Sequence, residues 1–281
     1  MTYRVAAVSF LNTIPLIDQL VREPGARVTL DLDLPSRLAG RLATGQVDAG
    51  LVPVVEILRG GTGGILCPTG IACNGPVDSV ALFANGDPAG LHKVFVDRGS
   101  RSSVALLRIL LAEMHGVSPV FSETEPKVGR RLAPGEGMLA IGDRCFALIA
   151  HLESADPDHL GIHDLGAMWK TLTGLPFVFA AWAASSTLAA GAPAHWKSLA
   201  QLLTESRDAG LSRLDELAAR EAGLGKLGHK GEATPQAIAY YFRTSLNFVL
   251  GDDELAGMRR FQALCRSHDL APDAPFPNLL S

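Results

Sequence analysis

Short apolar runs alternate along the chain with amphipathic stretches, the pattern of an α/β protein. Val5 to Val8 is a compact β-branched and alanine run that reads as a buried strand. It gives way to Ser9-Phe10-Leu11-Asn12-Thr13-Ile14-Pro15-Leu16, where Asn12 or Thr13 ahead of Pro15 and a periodic apolar stripe predicts a capped helix start. Val28 to Leu34 alternates as a half-buried strand does, Pro35-Ser36 opens a helix to Thr44, and Gly45 stops it. Gln46 to Val54 turns into a third strand, followed by a helical turn over Val55 to Leu58. This order is the half-unit of a doubly wound parallel sheet. Gly60 to Gly64 is glycine-rich without a phosphate-cradling pattern and predicts a flexible turn.

Val77 to Phe83 and Leu175 to Ala184 read as two further strands. Between them lies a separate β-α-β pattern: Lys93 to Val96, a helix over Ser102 to His115, then strands Ser118 to Phe121 and Met138 to Ile141. The expected organisation is a second lobe, 84–177, inserted into a first made of 1–83 and 178–281. The chain would cross between them on strands near 77–84 and 175–184. Ser185 to Leu188, Pro193 to Ser206, Leu211 to Glu221, Pro235 to Phe248 and Asp252 to Ser267 read as helices that complete the first lobe without obvious chemistry.

Composition narrows the function. With 281 residues and 47% hydrophobic positions, two globular cores are within reach. A net charge of −4 argues against nucleic-acid binding, and requires any anionic ligand to be held by local groups. No stretch reaches the ~18 to 20 apolar residues of a membrane span. The apolar N-terminus is broken by Asn12, Pro15, Asp18 and Gln19 without a small-x-small cleavage site, so it reads as folded protein and the expected location is cytoplasmic. Cys67, Cys73, Cys145 and Cys265 lack CxxC spacing and are expected as free thiols.

Polar groups gather where strands hand over to helices, the edge at which open α/β sheets bind ligands. Ser9, Asn12 and Thr13 form the first such junction. Asp97-Arg98-Gly99-Ser100-Arg101-Ser102-Ser103 forms the second: three serines, a glycine and free N–H groups suit a carboxylate or phosphate, although a serine N-cap needs no ligand. Asp143, after Ile141-Gly142, either faces the ligand or caps a helix. Trp169 either lines a cleft or fills the core. His159 and His163 are four apart with Glu153 upstream, but Pro157 and Gly161 spoil the helix that metal ligation on one face needs. No nucleophile elbow or nucleotide motif is present, and no cofactor or metal is expected. These readings point to a two-lobed cleft that traps a small anion.

Taken together, several phrases resemble the chorismate dehydratases of the futalosine route to menaquinone, which share the two-lobed fold of type II periplasmic binding proteins. They are Val8 to Leu16, Pro35-Ser36-Arg37-Leu38, Gly45 to Pro53, Gly75-Pro76-Val77-Asp78-Ser79-Val80, Asp97 to Ser103, Ile141-Gly142-Asp143, and Asp164-Leu165-Gly166 through Trp182. The resemblance implies an enzyme that eliminates water from chorismate, a carbon–oxygen hydro-lyase whose partner is a small dicarboxylate. It implies Asn12 in the reaction and Ser79 in the pocket; beside them Ser9, Thr13, Ser36, Ser100, Arg101, Ser102, Ser103 and Asp143 stand as substrate-binding candidates. The sister dihydroxynaphthoate synthase has the same fold, but its first loop is typically of Ser-Pro-Cys-Pro-Asn-Asp type where this chain has Phe10-Leu11-Asn12-Thr13. A solute-binding protein or a ligand sensor of the same fold are the other readings. The first needs export and the second a DNA-binding domain.

Overall fold

A computed structural model describes residues 2–22, 27–33, 35–97, 99–124, 128–154 and 160–280, with the side chains of residues 35, 36, 153 and 154 outside the description. Arg98, Pro157 and His159, and the side chains of Ser36 and Glu153, therefore lie outside the described residues. In chain order the elements are β1 (Tyr3–Ala7), α1 (Ile14–Arg22), β2 (Val28–Leu32), α2 (Pro35–Ala43), β3 (Ala49–Pro53), α3 (Val54–Leu58), β4 (Ile65–Cys73) and β5 (Val80–Ala84). There follow β6 (Lys93–Val96), α4 (Arg101–His115), β7 (Val120–Glu123), β8 (Glu136–Ile141), α5 (Asp143–Ser154), β9 (Gly161–Asp164), α6 (Leu165–Thr173) and β10 (Phe177–Ala184). The chain continues through α7 (Ser186–Ala190), α8 (Pro193–Leu211), α9 (Leu214–Gly223), α10 (Pro235–Tyr240), β11 (Asn247–Val249) and α11 (Asp252–Ser267).

Two compact units result: residues 1–72, 178–217 and 247–281, and residues 73–177 with 218–246. The expected boundaries need correction, because residues 73–83 and 218–246 both belong to the second unit. The chain passes between units at four points rather than two.

The first unit is built on a six-stranded sheet in the order β11-β4-β10-β3-β1-β2. β1 runs parallel to β2 and β3, while β10 runs antiparallel to β3. β4 escaped the sequence reading because Pro68 and Gly70 interrupt its apolar run. Gly70 sits there because a Cβ would fall 2.5 Å from the Ala180 carbonyl oxygen of β10. At the end of the glycine tract the glycines also allow close approach: at Gly63 and Gly64 a Cβ would meet the Ser185 and Asn278 carbonyl oxygens at 2.6 and 2.8 Å.

Against this sheet α1 packs on α8 at unusually short range, since Gly210 leaves no side chain in the way. A Cβ at Gly210 would fall 1.8 Å from the Pro15 carbonyl oxygen. The contact is reinforced by Ser206 Oγ, which donates to Leu16 O at 2.8 Å, and by buried Asp18, which pairs with Arg213 at 2.5 Å and Arg22 at 3.0 Å. These ties fix the start of α1, and with it the Ser9–Thr13 junction.

The second unit carries a five-stranded sheet in the order β7-β6-β8-β5-β9. β6 runs parallel to β7 and β8, and β5 runs antiparallel to β8 and β9. Its core includes Phe83, Phe95, Met138 and Cys145. The predicted helix from Pro235 to Phe248 stops early: α10 widens into a π-helical turn, Tyr241–Ser245, before β11. Among the described residues no helix is long and apolar enough to cross a membrane.

Replacing Gly210 with alanine should cost about 3 kcal/mol or more in urea denaturation, because backbone opposes the new methyl. Gly40, on α2, is the control, since a methyl added there would meet nothing within 4 Å; Gly40→Ala should stabilise by up to about 1 kcal/mol.

Candidate functional site

In the first unit the carboxyl ends of β1 and β2 lie side by side, with Ala7 opposite Leu32 and the Asp33 N–H donating to Ala7 O at 3.0 Å. This edge brings the Ser9–Thr13 junction beside the start of α2, where Ser36 sits. The expected cap by Asn12 or Thr13 is not made. A 3₁₀ turn, Leu11–Thr13, precedes α1, and its N-cap position is Phe10, which offers no side-chain acceptor. Asn12 lies inside that turn, half-buried, and its Oδ1 accepts a 3.3 Å bond from the buried Thr13 hydroxyl. Capping therefore does not explain the amide. Ser9 is exposed.

The second unit gathers the other candidates along one sheet edge. Parallel β6 and β8 end there, antiparallel β5 begins there with Val80 opposite Ile141, and β9 ends there with Asp164 opposite Ala81. Ser79, Ser100 to Ser103 and Asp143 are thus brought to the same edge. Arg144 of α5 pairs with Asp97 at the end of β6, tying two of these junctions together.

Ser100 is the N-cap residue of α4, yet its side chain makes no cap bond. Its Oγ is buried and has no hydrogen-bond partner among the described residues. An orphaned hydroxyl of this kind costs about 1–3 kcal/mol, so it calls for an explanation. Ser102 and Ser103 in the same first turn are buried, and Arg101 is half-buried. First-turn N–H groups lack intrahelical acceptors and carry the positive end of the helix dipole. Hydroxyls and N–H groups together suit a carboxylate.

Asp143 opens α5 and pairs with Lys226 Nζ at 2.5 Å. The sequence left it either facing a ligand or capping; the structure adds a cation that composition did not single out. Trp169 is core: it is fully buried, donates to Pro176 O at 3.0 Å and packs edge-on to Phe177.

The Val77–Ser79 segment was expected as strand and is instead a tight turn. Ser79 N–H donates to Val77 O at 2.7 Å, and Asp78 between them has φ of +62°. A three-residue turn of this hand is rare and strained. Several ties hold it. The Asp164 carboxylate accepts from Val77 N at 3.1 Å and Asp78 N at 2.8 Å, while also capping α6 through Ala167 N at 2.9 Å. Gly166 permits this approach, since a Cβ there would lie 2.4 Å from Gly75 O. Asp78 Oδ2 in turn receives Ser245 Oγ at 2.5 Å and meets His229 Nδ1 at 2.9 Å. Ser79, fully buried, accepts from the Tyr241 hydroxyl at 2.7 Å and holds Gly142 N–H at 2.7 Å through its carbonyl.

Burial raises the Asp164 carboxyl above its ordinary range, outweighing the three N–H donors that pull it down. Burial likewise pushes up the thiols, Cys67 to about 11, with Cys73 and Cys145 higher still, so none is a ready nucleophile. His163 is lowered by burial. Among the described residues no group of three or more His, Cys, Asp or Glu is placed to hold a metal.

Local sequence rules do not single out Lys226, His229, Tyr241 and Ser245, because the C-terminal helices read as structural filler of the first lobe. The only sequence signal was the break in helical periodicity ahead of Asn247.

The family described as menaquinone biosynthesis matches residues 3–267. A chorismate dehydratase of Thermus thermophilus is 33% identical over 231 residues, 78% of this chain and 82% of that protein. The periplasmic aliphatic sulphonate binding protein SsuA of Escherichia coli superposes with TM-score 0.59 at 18% identity, over 97% of this chain and 94% of its own. A Candida albicans protein with the generic periplasmic-binding-protein fold does so with TM-score 0.62 at 13% identity, over 95% and 90%. The two solved structures agree on a periplasmic-binding-protein-like fold, and the match along nearly the whole sequence settles the lineage: the chain belongs to the menaquinone biosynthesis family.

Proposed function

We infer that the chain is a chorismate dehydratase of menaquinone biosynthesis, a carbon–oxygen hydro-lyase acting in the cytoplasm on a freely diffusing dicarboxylate. The observation that carries this reading is the 33% identity to a protein of that name over most of both chains. Buried thiols suit a reducing compartment.

The chemistry asks for donors more than for a strong base. Chorismate loses its ring hydroxyl and the proton of the neighbouring ring carbon, giving 3-[(1-carboxyvinyl)oxy]benzoate and water. The proton is acidified through the conjugated ring carboxylate, so donors fixed on that carboxylate stabilise the charge that develops. Aromatisation supplies the driving force, and orientation supplies much of the rest. In this reading the α4 start seats one carboxylate, with Ser100 Oγ gaining the acceptor it lacks. Asn12 orients or polarises the leaving hydroxyl or the substrate itself, since an amide is a poor base. The enolpyruvyl carboxylate is available as an internal base.

Purified protein incubated with chorismate should yield the aromatic product, followed by absorbance and mass. Binding without turnover would return the chain to the solute-binding or sensor reading. Asn12→Asp should lower kcat/KM by about a hundredfold, because a donor is replaced by a charge facing a dianion; unchanged turnover and affinity would exclude an amide role.

Ser100→Ala should move two measurements in opposite directions. Thermal stability holds or rises as an orphaned hydroxyl disappears, while substrate affinity falls by about tenfold. Normal affinity after Ser100, Ser102 and Ser103 are all changed to alanine would remove the side-chain part of the seat.

A further inference from the structure

Tyr241 and Ser79 form a buried hydroxyl pair, 1% and 0% exposed, with the phenol donating to Ser79 Oγ at 2.7 Å. The surroundings are more elaborate than core satisfaction requires. Ser79 ends the strained turn at Asp78, and Tyr241 opens the π-helical turn whose last residue, Ser245, bonds the Asp78 carboxylate. The two ends of the π-helical turn therefore grip consecutive residues of the strained turn, Asp78 and Ser79. Both kinds of departure from regular backbone concentrate at functional sites. The Tyr241 ring is itself held edge-on by Phe146, with centroids 4.9 Å apart.

The bond runs from the phenol to the serine hydroxyl, and donor arithmetic then leaves the serine proton over. A serine hydroxyl accepts up to two hydrogen bonds and donates one. With Tyr241 donating, the Ser79 proton has no acceptor among the described residues. A hydroxyl that accepts a hydrogen bond is also a better donor, because the chain polarises. We propose that Tyr241 is a positioning residue for the dehydration: its phenol holds the Ser79 hydroxyl in place and leaves its proton for an oxygen of the substrate. This rests on the reading that Ser79 contacts substrate in the proposed reaction.

Tyr241→Phe keeps the ring and removes only the hydroxyl. It should lower kcat by about tenfold, the worth of one polarised hydrogen bond, with KM within about twofold of the parent. Ser79→Ala should lower kcat by more. In the Ser79→Ala background, adding Tyr241→Phe should change kcat by less than about twofold, since the phenol then has nothing to orient. Losses that multiply in the double variant overturn the proposal, as does Tyr241→Phe at parental kcat beside an impaired Ser79→Ala. Parental turnover in Ser79→Ala overturns both the proposal and the substrate contact of Ser79, while the dehydratase assay on the unaltered protein stands apart. The double variant leaves neither hydroxyl orphaned, so it serves if Tyr241→Phe alone proves insoluble; turnover clearly below that of Ser79→Ala then overturns the proposal.

Discussion

Asp164 is the residue on which the second unit's edge depends. A carboxylate at the end of β9 takes the N–H groups of Val77, Asp78 and Ala167 at once, so one side chain starts a helix and closes a turn. Burial raises its pKa, with Asp78 adding to that push, so ionisation is opposed in the fold and favoured only by the three N–H donors. The sign is that of a raised acid: protonation is easier folded than unfolded, and the cost of the charge is felt as pH rises through the folded pKa. Around this anion Asp78 adopts a left-handed conformation and presents its own carboxylate to Ser245 and His229. Each carboxylate is thus met by donors, Asp164 by three N–H groups and Asp78 by Ser245 and His229, which offsets the repulsion between two neighbouring acids.

Periodicity made much of the fold legible. Pro35 at the start of α2, Gly45 after it, and the β6–α4 pair emerged from local rules, because there propensity and burial agree. β4 did not, since Pro68 and Gly70 answer to a neighbouring backbone that no local window contains. The same limit hid the assignment of residues 218–246. Amphipathicity says that a helix buries one face, but not against which sheet.

The candidate edge was legible in part. Ser100 to Ser103 and Asp143 stand out by their positions at strand ends and Ser79 only through the family resemblance, and the sheet brings all of them to one edge. Their partners do not, because Lys226, His229, Tyr241 and Ser245 come from a segment far along the chain. At Asn12 the local rule predicts a helix cap. Its expected cap is absent, and losing that structural explanation leaves its amide more in need of a functional one.

A binding scaffold asks little alteration to run an elimination that ends in an aromatic ring. Substrate carboxylates must be seated, one bond must be aligned, and charge must meet fixed donors as it moves. Strong bases and nucleophiles are unnecessary for that, and the thiols, raised by burial, are unsuited to the role. Fixity is what distinguishes such a site from a loose polar pocket, because donors already aimed need no reorganisation in the transition state. Here fixity has a visible source. The strain at Asp78 persists because Asp164, Ser245, His229, Tyr241 and the Gly142 N–H over-determine the turn, so the Ser79 hydroxyl is held by the fold rather than by a rotamer of its own choosing.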